Sequence, residues 1–129
     1  MSVTLNSIDV QPDIPIGFAL TGVEHEVKSW TYLYDEFVSG RKLADMRKKS
    51  DRNYRVGDIL LLRRYDMASG KYTGESATAL VTHIISNDTP CALSGNGLDN
   101  NMVILSLRLL GHKDANGEDL ALPMCLRGG

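Results

Sequence analysis

The sequence predicts a small α+β domain, a mixed β-barrel with one helix packed against an opening. Three observations lead there. Several short segments alternate apolar and polar residues, the period-2 signature of strands with one buried face. The segment between Thr31 and Gly40 repeats instead at three and four residues, as an amphipathic helix does. The 129 residues, 43% hydrophobic and 23% charged, supply one core of ordinary composition and leave no room for a second.

Residues 1–22 contain Pro12 and Pro15 and little periodicity, so they read as an N-terminal arm with room for one short strand. Val23, His25, Val27 and Ser29 then alternate with Glu24, Glu26 and Lys28, giving the first core strand. Thr31 can cap a helix whose apolar face is Leu33, Tyr34, Phe37 and Val38, and Gly40 stands where a left-handed C-cap is needed. Lys42 to Arg47 alternates only in part, an irregular strand or extended loop, and residues 48–54 are polar and turn-like.

Val56-Gly57-Asp58 turns into a strand from Ile59 to Tyr65, whose apolar start implies burial on both faces. A hairpin loop over 66–74, punctuated by Gly70 and Gly74, should lead to an antiparallel partner from about Glu75 to Ile85. On that strand Ala77, Ala79, Val81 and His83 share a face. Residues 86–101, with Pro90, form a long loop. Met102 to Leu110 is the last strand, and from Gly111 the chain is loop-like apart from Leu120-Ala121-Leu122. The order of elements suits a barrel of residues 23–110, between the arm 1–22 and an extension 111–129.

Function classes narrow by subtraction. No run approaches the roughly 18 apolar residues of a membrane-spanning helix, and Met1 to Val10 lacks the features of a secretory signal. A cytoplasmic, non-membrane protein is the expectation. Cys91 and Cys125 stand far apart without ligand-type neighbours, so they read as small buried or half-buried side chains. His25, His83 and His112 lack metal-site spacing, and His25 and His83 read as hydrogen-bonded core or rim residues. No metal, cofactor or serine-hydrolase triad is expected.

Charge is the informative quantity. The net charge of −2 conceals nine cations between Ser39 and Arg64 against three carboxylates, a surplus of six. Elsewhere five cations face thirteen carboxylates, a deficit of eight. A basic segment on an acidic remainder favours a localised polyanion site, because the remainder repels phosphate while the patch attracts it.

Several landmarks recur in one known order: His25-Glu26-Val27-Lys28, Ser39-Gly40-Arg41-Lys42, Asp45-Met46-Arg47-Lys48, Asp51-Arg52-Asn53-Tyr54, Val56-Gly57-Asp58 and Tyr72-Thr73-Gly74. With them the stretch 23–110 resembles a phage and bacterial family of domains of unknown function in the ASCH (activating signal cointegrator homology) branch of the PUA-like superfamily. The resemblance implies a barrel of five or six strands and RNA binding in a cleft between barrel and helix. Gly40, Lys42 and Arg47 match that family's motif. Asp45 stands where the family usually has Glu, and Leu43 and Ala44 replace its usual Thr and aromatic residue.

The residues expected to bind nucleic acid are Trp30, Lys42, Asp45, Arg47, Lys48, Lys49, Arg52, Tyr54 and Arg55. Arg47 offers a planar fork for phosphate or a guanine edge, Lys42 a movable charge, and Asp45 a carboxylate that can hold either. Trp30, Tyr54 and Tyr65 offer flat surfaces for unstacked bases. Lys48, Lys49, Arg52 and Arg55 steer phosphate without reading sequence. Two alternatives stay open: an acetylcytidine amidohydrolase-like enzyme using Lys42, and a phage-type module that binds a host protein.

Overall fold

The computed structural model describes residues 19–88 and 98–123; both cysteines, all but the last part of the arm, Pro90 and the chain end lie outside the described residues. Its elements are β1 (Glu24–Trp30), α1 (Thr31–Val38), β2 (Ala44–Lys48), β3 (Ile59–Asp66), β4 (Lys71–Ile85), β5 (Met102–Lys113) and β6 (Asp119–Leu120). One sheet contains all six strands in the order β1-β3-β4-β5-β2, with β6 added to β5. It is curled into a half-barrel, with one short helix. Among the described strands only β1 and β3 run parallel. A parallel pair needs a long crossover, which α1 and β2 provide.

The alternation seen in the sequence decides what lies inside. His25, Val27 and Ser29 are buried on β1, facing Leu60 and Leu62 of β3, Ala77, Ala79 and Val81 of β4, and Val103, Leu105, Leu107 and Leu109 of β5. Tyr34 and Phe37 of α1 close this core, and burial of each large apolar side chain contributes about 1.5–3 kcal/mol. Ile59, Leu80 and Leu110 pack with Leu20 as a second cluster, so the start of β3 is buried on both faces, as its apolar run implied.

Helix α1 departs from the expected start. Trp30 occupies the cap position in extended geometry without a capping side-chain bond, and Thr31 is already helical. The Thr31 hydroxyl donates instead to the Tyr65 carbonyl (3.3 Å), because the helix grows straight out of β1 beside the end of β3. The other end follows the sequence. Gly40 has φ +87°, and the amides of Arg41 and Lys42 both donate to the Glu36 carbonyl. Left-handed backbone favours glycine, and this turn delivers Lys42 to the mouth of the sheet.

Other differences have local causes. Of the two readings of Lys42 to Arg47, the strand holds from Ala44, and it is regular: Ala44–Lys48 pairs in unbroken register with Met102–Ser106. Gly74 lies inside β4, with φ +95° and the Ala115 backbone close to where a Cβ would be, so the hairpin turn is only 67–70. His83 is exposed, because a register shift between Val81 and His83 turns it off the buried face. β5 runs on to Lys113, and β6 pairs with it at His112 and Lys113. No helix among the described residues is long and apolar enough to cross a membrane.

Candidate functional site

The two end strands of the curled sheet, β1 and β2, are not paired with each other, and the side chains between them form the site. Alternation puts Asp45 and Arg47 on one face of β2, and the Gly40 turn brings Lys42 alongside. The Asp45 carboxylate accepts from Lys42 Nζ (3.2 Å) and from Arg47 Nε (2.8 Å). Arg47 reaches on across the opening, where Nη2 donates to the Lys28 carbonyl of β1 (2.9 Å). Lys42 Nζ also donates to the Ala44 carbonyl. A guanidinium carries five donors, and among the described residues these two bonds leave Arg47 Nη1 without a partner.

A cleft of about 300 Å³ lies over this group, lined by Lys28, Ser29, Trp30, Leu33, Asp45, Met46 and Arg47. A second hollow of about 330 Å³ continues it along Lys42, Ala44 and Ile104. Trp30 stands at the wall with half its surface (51%) exposed. Beyond Lys42 a third hollow of about 280 Å³ lies against Phe37, Gly40 and Leu107. The structure thus brings Trp30, Lys42, Asp45 and Arg47 together.

The rest of the basic segment is distributed. Arg41 pairs with Glu36 (2.8 Å) on the surface; their hydrogen bond pulls the Glu36 carboxyl below its ordinary range and raises the guanidinium. Lys49 pairs with Asp88 (2.8 Å), and Arg63 with Glu26 (3.2 Å). Arg64 turns to the helix side, where it holds Glu75 (2.6 Å) and Asp35 (3.3 Å). Lys48, Arg52 and Arg55 are exposed and have no ion-pair partner among the described residues. The segment therefore does not form one continuous basic face.

Tyr54 is not an exposed ring. It is buried (8% exposed), its ring 4.9 Å from that of His25, because the turn after β2 folds back under β1. Burial raises its hydroxyl pKa against the lowering influence of Arg47 and Arg52. Beside it lies a group the sequence did not single out: Asp58, 1% exposed, bound to His25 Nε2 (2.7 Å), the Arg55 amide (2.9 Å) and the Thr21 hydroxyl. Its side-chain partners, His25 and Thr21, are distant in sequence, so spacing gave no signal for them.

One further charged residue at the cleft was missed, Lys28. Lys28 supplies the carbonyl for Arg47, and its ammonium sits 4.2 Å from the Tyr65 ring centre. The available signal was parity, since Lys28 shares the outer face of β1 with Trp30. Among the described residues no cluster of His, Cys, Asp or Glu has a metal-binding arrangement.

The family model for a domain of unknown function (DUF3850) matches residues 24–107, which spans β1 through the first half of β5. The chain is also 40% identical over 60 residues to an uncharacterized 12.9 kDa protein in the GpA 3′ region of Escherichia phage P2. That stretch is 46% of this chain and 52% of the phage protein, so the match spans about half the length of that relative.

Proposed function

The chain belongs to the DUF3850 family of domains of unknown function, and from that premise we propose that it is a non-catalytic nucleic-acid-binding module of the ASCH branch of the PUA-like superfamily, with single-stranded RNA as its ligand. The observation that carries this reading is the Lys42–Asp45–Arg47 group in the opening between β1 and β2. Asp45 fixes Nε of Arg47 and the Lys28 carbonyl takes Nη2, so Nη1 is the part of the fork that remains for a phosphate or a guanine edge. Lys42 adds a second positive charge, and Trp30 an exposed ring on which a base can stack. Exposed Lys48, Arg52 and Arg55 supply sequence-independent attraction.

Binding is favoured over amide hydrolysis by what Lys42 does. Its ammonium donates to Asp45 and to the Ala44 carbonyl. A lysine acting as nucleophile or base presents its lone pair to the substrate, and here Nζ is engaged as a donor to both acceptors.

Fluorescence anisotropy with single-stranded RNA, single-stranded DNA and duplex pools, at two salt concentrations, tests the proposal. Saturable binding that favours RNA, weakens log-linearly with salt and falls at least about tenfold in Lys42→Ala/Arg47→Ala is the expected outcome. Absence of binding at low salt, or equal binding by the double variant, would overturn it and turn attention to a protein partner.

A further inference from the structure

The outer face of β1, β3 and β4 carries a row of aromatic residues that the cleft does not account for. Trp30 on β1 is the register partner of Tyr65 on β3, and Tyr65 is the partner of Tyr72 on β4. Neighbouring strands lie about 4.8 Å apart, so the three residues form one line across three strands. The Tyr65 and Tyr72 rings meet edge to face, 5.1 Å between centres at 72°. Trp30 and Tyr72 remain 51% and 43% exposed.

Cations are interleaved with these rings. Lys28 Nζ sits 4.2 Å from the centre of Tyr65, and the Arg63 guanidinium 4.3 Å from the centre of Tyr72. Lys28 and Arg63 are themselves register partners, one step along the strands from the aromatic line. Glu26 holds Arg63 from its other side (3.2 Å). The row begins at the cleft, because Lys28 and Trp30 also line it.

We infer that the ligand is a run of at least three unstacked nucleotides, which enters at Arg47 and leaves over Trp30, Tyr65 and Tyr72. The inference rests on the nucleic-acid reading above and extends it from one pocket to a path. Two features select this occupant. Rings alternating with cations match a chain that alternates flat bases with phosphates, and a guanidinium stacked on a ring can itself carry a base. Continuity with the cleft supplies the second, because Lys28 and Trp30 belong to both.

The test is a length series: a mononucleotide, a dinucleotide and progressively longer single-stranded RNA oligonucleotides, titrated into the full chain and its Tyr72→Ala, Tyr72→Leu and Tyr72→Phe variants. Affinity should climb beyond the dinucleotide and then level off. Tyr72→Ala and Tyr72→Leu should each weaken the longer oligonucleotides about tenfold and leave the dinucleotide unchanged. Tyr72→Phe should behave as the parent. Unchanged dinucleotide binding shows that the fold is kept, and the leucine variant preserves bulk should alanine loosen the strand. Affinity that stops rising at the dinucleotide, or Tyr72→Leu binding long oligonucleotides as the parent does, would overturn the path and leave the cleft standing. Failure of every length to bind would overturn both.

Discussion

Asp58 and Asp45 each gather donors from separate parts of the chain, yet they stand in opposite situations. Asp58 is sealed, and its oxygens receive His25, the Arg55 amide and the Thr21 hydroxyl. Those partners tie together the segment before β1, β1 itself and the turn before β3. Asp45 is partly open to solvent, and what it receives are two cations, Lys42 and Arg47, one of which spans an unpaired opening. A carboxylate whose partners have no other business is a structural knot. A carboxylate that orients cations with donors to spare is what the proposed binding site requires.

The contrast is sharpened first at Asp58. Asp58→Ala would leave the buried His25 ring without its acceptor and free the part-buried Thr21 hydroxyl and Arg55 amide, and the three lost bonds should cost about 3 kcal/mol in urea unfolding. Asp45→Ala should cost about 1 kcal/mol or less, as partly exposed pairs do. Equal losses at the two positions would erase the distinction.

Next in size is the effect of Arg47→Ala on RNA binding, about 1–3 kcal/mol in a titration and unequal among bases. Arg47→Lys should recover little of it, since an ammonium cannot hold Asp45, the Lys28 carbonyl and a ligand as one planar fork.

The closed side has a pH signature as well. Burial raises the hydroxyl pKa of both Tyr34 and Tyr54. Below the ordinary tyrosine value of about 10, folded and unfolded chains both keep these protons, and the two groups make no slope. Above it the unfolded chain releases protons that the fold retains, so stability falls as pH rises. Urea midpoints on either side of that pH should show the decline, and Tyr34→Phe with Tyr54→Phe should flatten it. Tyr34→Phe should be close to neutral at lower pH, because its buried hydroxyl lacks a partner among the described residues. The smallest effect belongs to the exposed cations: Lys48→Ala should weaken all sequences alike and reduce the salt slope by about one.

Local patterns carried most of the fold. Alternation in β1, the Gly40 stop and the doubly buried start of β3 were all readable, because each depends on neighbours within a few residues. The parallel pairing of β1 with β3 was not readable, nor was the exposure of His83. Pairing partners and bulges are set between strands, and no window along the chain contains them. The same holds at the site. Lys42, Asp45 and Arg47 were visible as a motif within six residues, whereas Tyr54 misled because an aromatic in a basic segment looks the same whether it lies on the surface or under it. The surplus of cations overstated the basic face for a related reason: Glu26, Glu36, Glu75 and Asp88, which offset much of it, lie outside the segment.

The seam between β1 and β2 carries a mechanical consequence. Where a closed barrel would be welded by a backbone ladder, this one is fastened by the Arg47 side chain at the Lys28 carbonyl. A single hydrogen bond of this kind contributes only about 0.5–1.5 kcal/mol net, and it can be exchanged for another acceptor without disturbing any strand. Under the proposed function, a phosphate arriving at Arg47 would compete with the fastening itself. Rotation of that one side chain would leave the two end strands without this tie while every backbone ladder stays intact.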